Sequence, residues 1–301
     1  MTRIALAPLA LLTLANAAPQ DDGGAFPPAV KTMLDAAIAS GNEAEITTVA
    51  KYAALAAPDY ADAIRLAATN FVNARKAQET RTIREATFVE LIKGRAELGG
   101  YANTGNTDNL GVTASVDLTR EGLEWRHKLK LLAEYQENQN ITNREHYLAA
   151  YEPNYKITDR LYAYGALQFE SDKFFGYTDR YSASAGAGYS AVRTPAITLD
   201  LELGPSLRYT NYTDATRESE LGARGSVDFD WKLSPVVTLS QDASAYVQNV
   251  NSTVTARTAI AAKVFGPLAV QLSYQVNYES SPPEGRVNTD TLSRASLVYS
   301  F

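Results

Sequence analysis

Two histidines, His127 and His146, are the side chains best placed to trade a proton near neutral pH, and the 301-residue chain has no cysteine. Acyl hydrolysis would need a nucleophilic serine beside one of these rings, with an Asn or Asp orienting it. Neither histidine has a serine two residues away on its own strand face. His127 follows Trp125 on an apolar parity, and His146 sits among Arg144, Glu145 and Tyr147. An interfacial imidazole and a rim hydrogen bond are the expected roles. The chain is therefore read as a non-enzyme, with an outer-membrane lipid acyl hydrolase as the less favoured alternative. No carboxylate group has metal-ligand spacing, so no metal and no cofactor are expected. Without cysteine there are no disulfides, thiolate metal sites or lipid-modified amino-terminal Cys.

Charge at alternate positions is the more abundant chemistry. Glu124, Arg126, Lys128 and Lys130 alternate with Leu123, Trp125, Leu129 and Leu131. Asp200, Glu202 and Arg208 alternate with Leu199, Leu201, Leu203, Leu207 and Tyr209. Arg160, Arg224, Asp228, Asp230, Lys232, Asp242, Arg257, Lys263 and Arg294 share the polar parity of their segments. If the apolar parity meets lipid, all of these point into one enclosed lumen. So many charges cannot be buried dry unless each is paired, which implies water or ion pairs inside. Both signs are interleaved, so no ion selectivity follows.

Strict alternation is the signature of strands with one apolar face. It predicts twelve strands, over 93–104, 109–120, 123–137, 144–157, 160–172, 179–192, 196–210, 217–232, 236–249, 253–265, 268–280 and 288–301. Their connections alternate between longer and shorter, as in outer-membrane barrels, and an even number returns both ends to one side. About eleven residues tilted near 45° cover roughly 25 Å, the height of an outer-membrane apolar band. Soluble sandwich strands are usually about half that length. The 18 Tyr, 9 Phe and 2 Trp supply two interfacial belts. Trp125, Tyr155, Tyr189, Trp231, Tyr299 and Phe301 lie near the short-turn end; Tyr135, Tyr147, Phe169, Tyr181, Tyr209 and Tyr278 lie near the long-loop end. Pro153 and Pro205 each remove a ladder donor, so a bulge or displaced register is expected at both.

Residues 1–17 read as a secretory signal peptide, with Arg3 before the apolar run Ile4–Leu14 and Ala15-Asn16-Ala17 at the cleavage site. Residues 18–27 form a linker. Helical spacing in 28–92 predicts a small periplasmic segment: one helix ends at Gly41, Asn42 caps a second, and Pro58-Asp59 opens a third. Residues 76–88 extend the third helix or form a linker. The barrel takes 93–301. The fold class is thus all-β: a transmembrane antiparallel barrel of about twelve strands behind a small α-helical periplasmic segment, in the outer membrane of a Gram-negative bacterium. A net charge of -6 argues against nucleic acid as a partner.

The chain ends in Leu297, Tyr299 and Phe301, which resembles the carboxy-terminal signal of outer-membrane barrels and implies the barrel-assembly machinery as a partner. Gly99 to Thr107, Trp125-Arg126-His127, Asp159-Arg160-Leu161-Tyr162, Ala185-Gly186-Ala187-Gly188-Tyr189, and Gly204-Pro205 with Arg208-Tyr209 resemble the salt-induced outer-membrane protein family, domain of unknown function 481. The resemblance covers about residues 90–301. It implies an outer-membrane barrel tied to salt stress and supplies no activity and no catalytic residues. Outer-membrane lipid and a periplasmic partner for the helices are the further contacts expected. A narrow passive pore for ions or small polar solutes is the preferred reading. A non-conducting structural or interaction barrel is the alternative.

Overall fold

The structure, a computed structural model, describes residues 26–104, 109–138, 141–282 and 286–301. The expected signal peptide and its cleavage point lie outside these residues. The chain forms two compact units divided at Arg81.

The first unit contains α1 (Pro28–Ser40), α2 (Glu43–Ala56) and a 3₁₀ turn (Pro58–Tyr60). α3 (Ala61–Glu85) follows and continues through most of 76–88. Gly41 stops α1 at φ 65°, a left-handed conformation suited to glycine. Its carbonyl accepts a hydrogen bond from Arg75 Nη1. Asn42 Oδ1 accepts from the amides of Ala44 (3.1 Å) and Glu45 (3.4 Å), capping α2. Val30, Leu34, Ile46, Ala53 and Ile64 form a core small enough to explain the run of alanines around it.

The second unit is a closed barrel of twelve antiparallel strands, each paired with its sequence neighbours. In order they are β1 (Ile92–Thr104), β2 (Asn109–Glu121), β3 (Trp125–Asn138), β4 (Ile141–Lys156), β5 (Leu161–Asp172), β6 (Tyr177–Arg193), β7 (Ile197–Tyr212), β8 (Arg217–Lys232), β9 (Val237–Gln248), β10 (Thr253–Phe265), β11 (Leu268–Glu279) and β12 (Thr289–Ser300). Closure runs from Arg95↔Ser300 to Thr104↔Thr291. Gly94 and Phe301 then exchange backbone hydrogen bonds of 2.9 Å. Closure leaves no unpaired sheet edge, the condition for a sheet surrounded by lipid.

Three short turns share one device. The hydroxyls of Thr158, Thr194 and Ser234 accept from the amides of Leu161, Ile197 and Val237 at 2.9, 2.9 and 3.0 Å. Each satisfies a donor at the point where the ladder stops.

The prolines behave otherwise than their sequence positions predict. Pro153 pairs in register with His127, and Pro205 with Ala223. Toward β5 the pairing passes from Tyr151↔Leu167 to Asn154↔Tyr164 with no shift. Toward β6 it passes from Ser184↔Ser206 to Ala187↔Leu203, again unshifted. Each proline interrupts one ladder without a bulge. Beside Pro205 glycines make this sterically cheap: Gly186 and Gly204 approach so closely that a Cβ on either would lie 2.2 Å from a carbonyl oxygen across the strands. The real register shifts fall toward strand ends, at Gln136/Glu137, Glu170/Asp172, Tyr177/Asp179, Ser190/Val192 and Lys263/Phe265.

The outer face is apolar. Trp125, Tyr155, Tyr189, Trp231, Tyr299 and Phe301 are exposed, as are Tyr135, Tyr147, Tyr181, Tyr209 and Tyr278, while Phe169 is half-buried against Tyr181. Leu203, Leu221 and Leu272, between the two aromatic sets, are each more than half exposed.

Candidate functional site: the charged interior

Period-two geometry sends the polar parity of every strand inward. There it encloses a cavity of about 900 Å³. Its lining reaches from Lys93 and Ser300 at one end of the strands to Phe175 and Glu279 at the other. Basic and acidic side chains line it in near-equal number.

Arg126, Lys128, Lys130, Asp200, Arg208, Arg224, Asp228, Asp230 and Arg257 all line this cavity. Glu202 and Arg294 are buried in ion pairs of the interior rather than on the cavity lining. Four sequence expectations are corrected, the first being Lys232, which is exposed at the end of β8 and does not line the cavity. Glu124 and Arg160 sit exposed in turns, because β3 starts at Trp125 and β5 at Leu161. Lys263 is exposed close to the end of β10, beside a register shift, and does not line the cavity. At strand ends parity no longer fixes direction, since the chain is leaving the sheet.

Ion pairs cross the interior between strands that are not neighbours. In one group, Arg126 meets Asp200 at 3.0 Å and Lys128 meets Asp228 at 3.1 Å. Arg224 reaches Glu152 at 3.5 Å while holding its neighbour Glu202 at 2.9 Å. In another, Arg257 binds Glu97 at 3.0 Å, Arg294 pairs with Glu134, and Arg180 meets Glu279 at 3.2 Å. Glu134, with almost no exposed surface, also takes Arg144 at 3.1 Å.

Register explains the first group. Asp200, Asp228 and Asp242 stand opposite one another on β7, β8 and β9, a row of like charges that cannot stabilise itself. Arg126, Lys128 and Lys130 stand at alternate positions of β3. In a barrel tilted by about 35–45°, a strand on one wall runs roughly parallel to a register row on the opposite wall. The basic strand therefore faces the acidic row, and the first two members of each are joined.

Tyrosines complete the interior. Tyr162 and Tyr164 are buried, opposite Gly188 and Gly186 on β6. A Cβ on Gly188 would lie 2.1 Å from the Tyr162 ring, so the glycine is what lets that ring lie flat on the wall. The Tyr162 hydroxyl donates to Glu202 Oε1 at 3.1 Å, and the Arg126 guanidinium covers its ring. Arg224 covers Tyr164.

Among the described residues, neither histidine meets a serine. His146 Nδ1 lies 3.1 Å from Glu134 and Nε2 3.0 Å from Glu170, so both nitrogens are occupied. His127 stacks between Trp125 and Tyr151, with Nδ1 2.8 Å from the Tyr151 hydroxyl.

Sequence reasoning did not single out Glu97, Arg144, Glu152, Glu170, Arg180 and Glu279 as interior charges. Their signal was the same parity of their strands. It also missed the Tyr-Gly pairs, which only cross-strand register reveals.

The family model described as "Protein of unknown function, DUF481" matches residues 96–301. The "Uncharacterized protein YdiY" of Escherichia coli (strain K12) is 26% identical over 217 residues, covering 72% of this chain and 86% of that protein. Among solved structures, the NanC porin is similar at 9% identity and TM-score 0.48, over 68% of this chain and 98% of that one. The KdgM porin is similar at 11% identity and TM-score 0.38, over 68% and 99%. The translocator domain of the autotransporter NalP from Neisseria meningitidis gives 12% identity and TM-score 0.43, over 79% and 98%.

Proposed function

The chain belongs to the DUF481 family of proteins of unknown function, and from that premise we propose that it is an outer-membrane barrel acting as a narrow passive pore for ions or small polar solutes. The observation that carries this reading is the charged cavity of about 900 Å³, with lining residues from both ends of the strands. Fixed charges of both signs hold water more cheaply than they tolerate dry burial. An apolar outer face flanked by aromatic side chains supports lipid as its surroundings. Salt-stress induction belongs to the same proposal, and transcript level at raised NaCl reads it directly. So do recognition of Phe301 by the barrel-assembly machinery and a periplasmic partner for the helices. No step of this function needs a reacting group.

Single-channel recording of the full chain in a planar bilayer tests the pore. Steady unitary conductance is the expected result. Silence from a protein shown to be folded by heat-modifiable gel mobility would overturn it. The second reading, a closed structural barrel, is favoured by one observation: the ion pairs that span the interior. It predicts that silence.

A further inference from the structure

Asp242 lies in the cavity lining with both of its cross-strand neighbours engaged elsewhere. On β8 it stands opposite Asp228, whose carboxylate holds Lys128 at 3.1 Å. On β10 it stands opposite Arg257, which is bound to Glu97 at 3.0 Å. Asp230, two residues from Asp228, faces only Thr198 and Ser240. Among the described residues, neither Asp230 nor Asp242 makes an ion pair.

The opposite wall carries the complementary surplus. Lys130 stands across from Asp117, but that carboxylate accepts from Arg95 Nε at 2.8 Å. Among the described residues Lys130 makes no ion pair, although it lines the same cavity. Arg126 uses Nη1 for Asp200 and leaves Nε and Nη2 buried without a hydrogen-bond partner among the described residues.

Basic strand and acidic row thus match in their first two members and leave the third of each unjoined. Along β3 the step between successive basic residues is about 6.6 Å, whereas across β7 to β9 it is about 4.8 Å. Unequal steps bring two pairs into contact and hold the third apart. What remains is a cationic wall and an anionic wall facing one cavity.

We infer that this gap is a subsite for small zwitterions, whose carboxylate meets Lys130 while the ammonium meets Asp230 and Asp242. The inference rests on reading the interior as a hydrated passage and names the solute class that the passage favours. A singly charged ion gains from one wall and is repelled by the other. A dipolar solute gains from both, because Lys130, Asp230 and Asp242 make no ion pair among the described residues, although Arg95 also lines the cavity and attracts both aspartates.

Saturation-transfer NMR on the detergent-solubilised full chain tests this, with glycine and γ-aminobutyrate as the zwitterions and acetate and methylammonium as their single-charge halves. At least one zwitterion is expected to show transfer that both halves lack. Lys130→Gln and Asp242→Asn should each weaken it roughly five- to tenfold while heat-modifiable mobility is kept. Transfer to acetate or to methylammonium as strong as to the zwitterions would overturn the inference, as would variants that bind like the parent. A parent that shows no transfer to either zwitterion would overturn it too. Conductance is recorded on the same preparation. Zwitterion binding without conductance keeps the subsite and removes the pore, whereas conductance without binding does the reverse.

Discussion

At the scale of single residues, the interior is held by side chains that cannot lose a partner cheaply. Glu97 is fully buried between Arg257 and Arg294 and also accepts from Gln271 and Ser296. Replacing it by Ala strands the buried Arg257, while Arg294 keeps Glu134, at a cost of about 3–5 kcal/mol. The temperature at which the heat-modifiable band converts should fall markedly. An unchanged conversion would mean that water already carries these charges. The Gly94–Phe301 contact is equally specific. A Cβ at Gly94 would lie 2.6 Å from the Phe301 ring and 2.7 Å from Leu118, so Gly94→Ala must displace the ring that covers the closing strand pair. Slower appearance of folded barrel in pulse-chase assembly is expected for Gly94→Ala. In the helical unit, Ile64→Ala removes one of the largest fully buried side chains from a small core. A loss of about 2–5 kcal/mol should open α1–α3 to proteolysis while leaving heat-modifiable mobility unchanged.

The elements place their costs at their ends. The β7–β8 connection contains Ala215 at φ 66°, a left-handed conformation that strains any side chain. Ala215→Gly should raise stability by up to about 1 kcal/mol, read as a later conversion temperature. The neighbouring Asp214 carboxylate accepts from the Thr216 hydroxyl at 2.6 Å and its amide at 2.8 Å, which holds the Asp214 carboxyl below its ordinary value. A carboxyl lowered in the folded state supports the turn above its unfolded value, near 4, and loses that support as pH falls through the lowered one. Amide exchange at Thr216 should therefore accelerate, relative to its intrinsic rate, only in acid. Asp214→Asn should remove that pH dependence. The unshifted ladders at Pro153 and Pro205 belong to this scale too, and beside Pro205 the close approach of Gly186 and Gly204 absorbs what a bulge would otherwise relieve.

For the whole molecule, the question is whether charges that meet across the lumen leave a path between them. Replacing Arg126, Lys128 and Lys130 together by Gln strips one wall of its cations and leaves Asp200, Asp228 and Asp242 facing water. In a hydrated passage the reversal potential under a salt gradient should move toward cation preference. In a closed barrel the same variant would lose thermal stability and show no current, because the crossing pairs would then be struts alone.

The sequence by itself determined the strands, their number and the two faces of each. Alternation at period two is a local property of the backbone, and a one-residue slip would reverse every side chain. For that reason the strands read at 109–120 and 196–210 match β2 (Asn109–Glu121) and β7 (Ile197–Tyr212) to within a residue or two. Gly41 and Asn42 were legible for the same reason, since a helix stop and a cap act within a few residues. The candidate site was legible only in part. Parity pointed to Arg126, Lys128 and Asp228, but it also suggested Glu124, Arg160 and Lys263, which turns and strand ends carry out of the interior. Only the closed barrel decided which charges meet, as with Arg126 and Asp200, 74 positions apart. Such contacts depend on strand tilt and closure, and these exist only when all twelve strands are assembled.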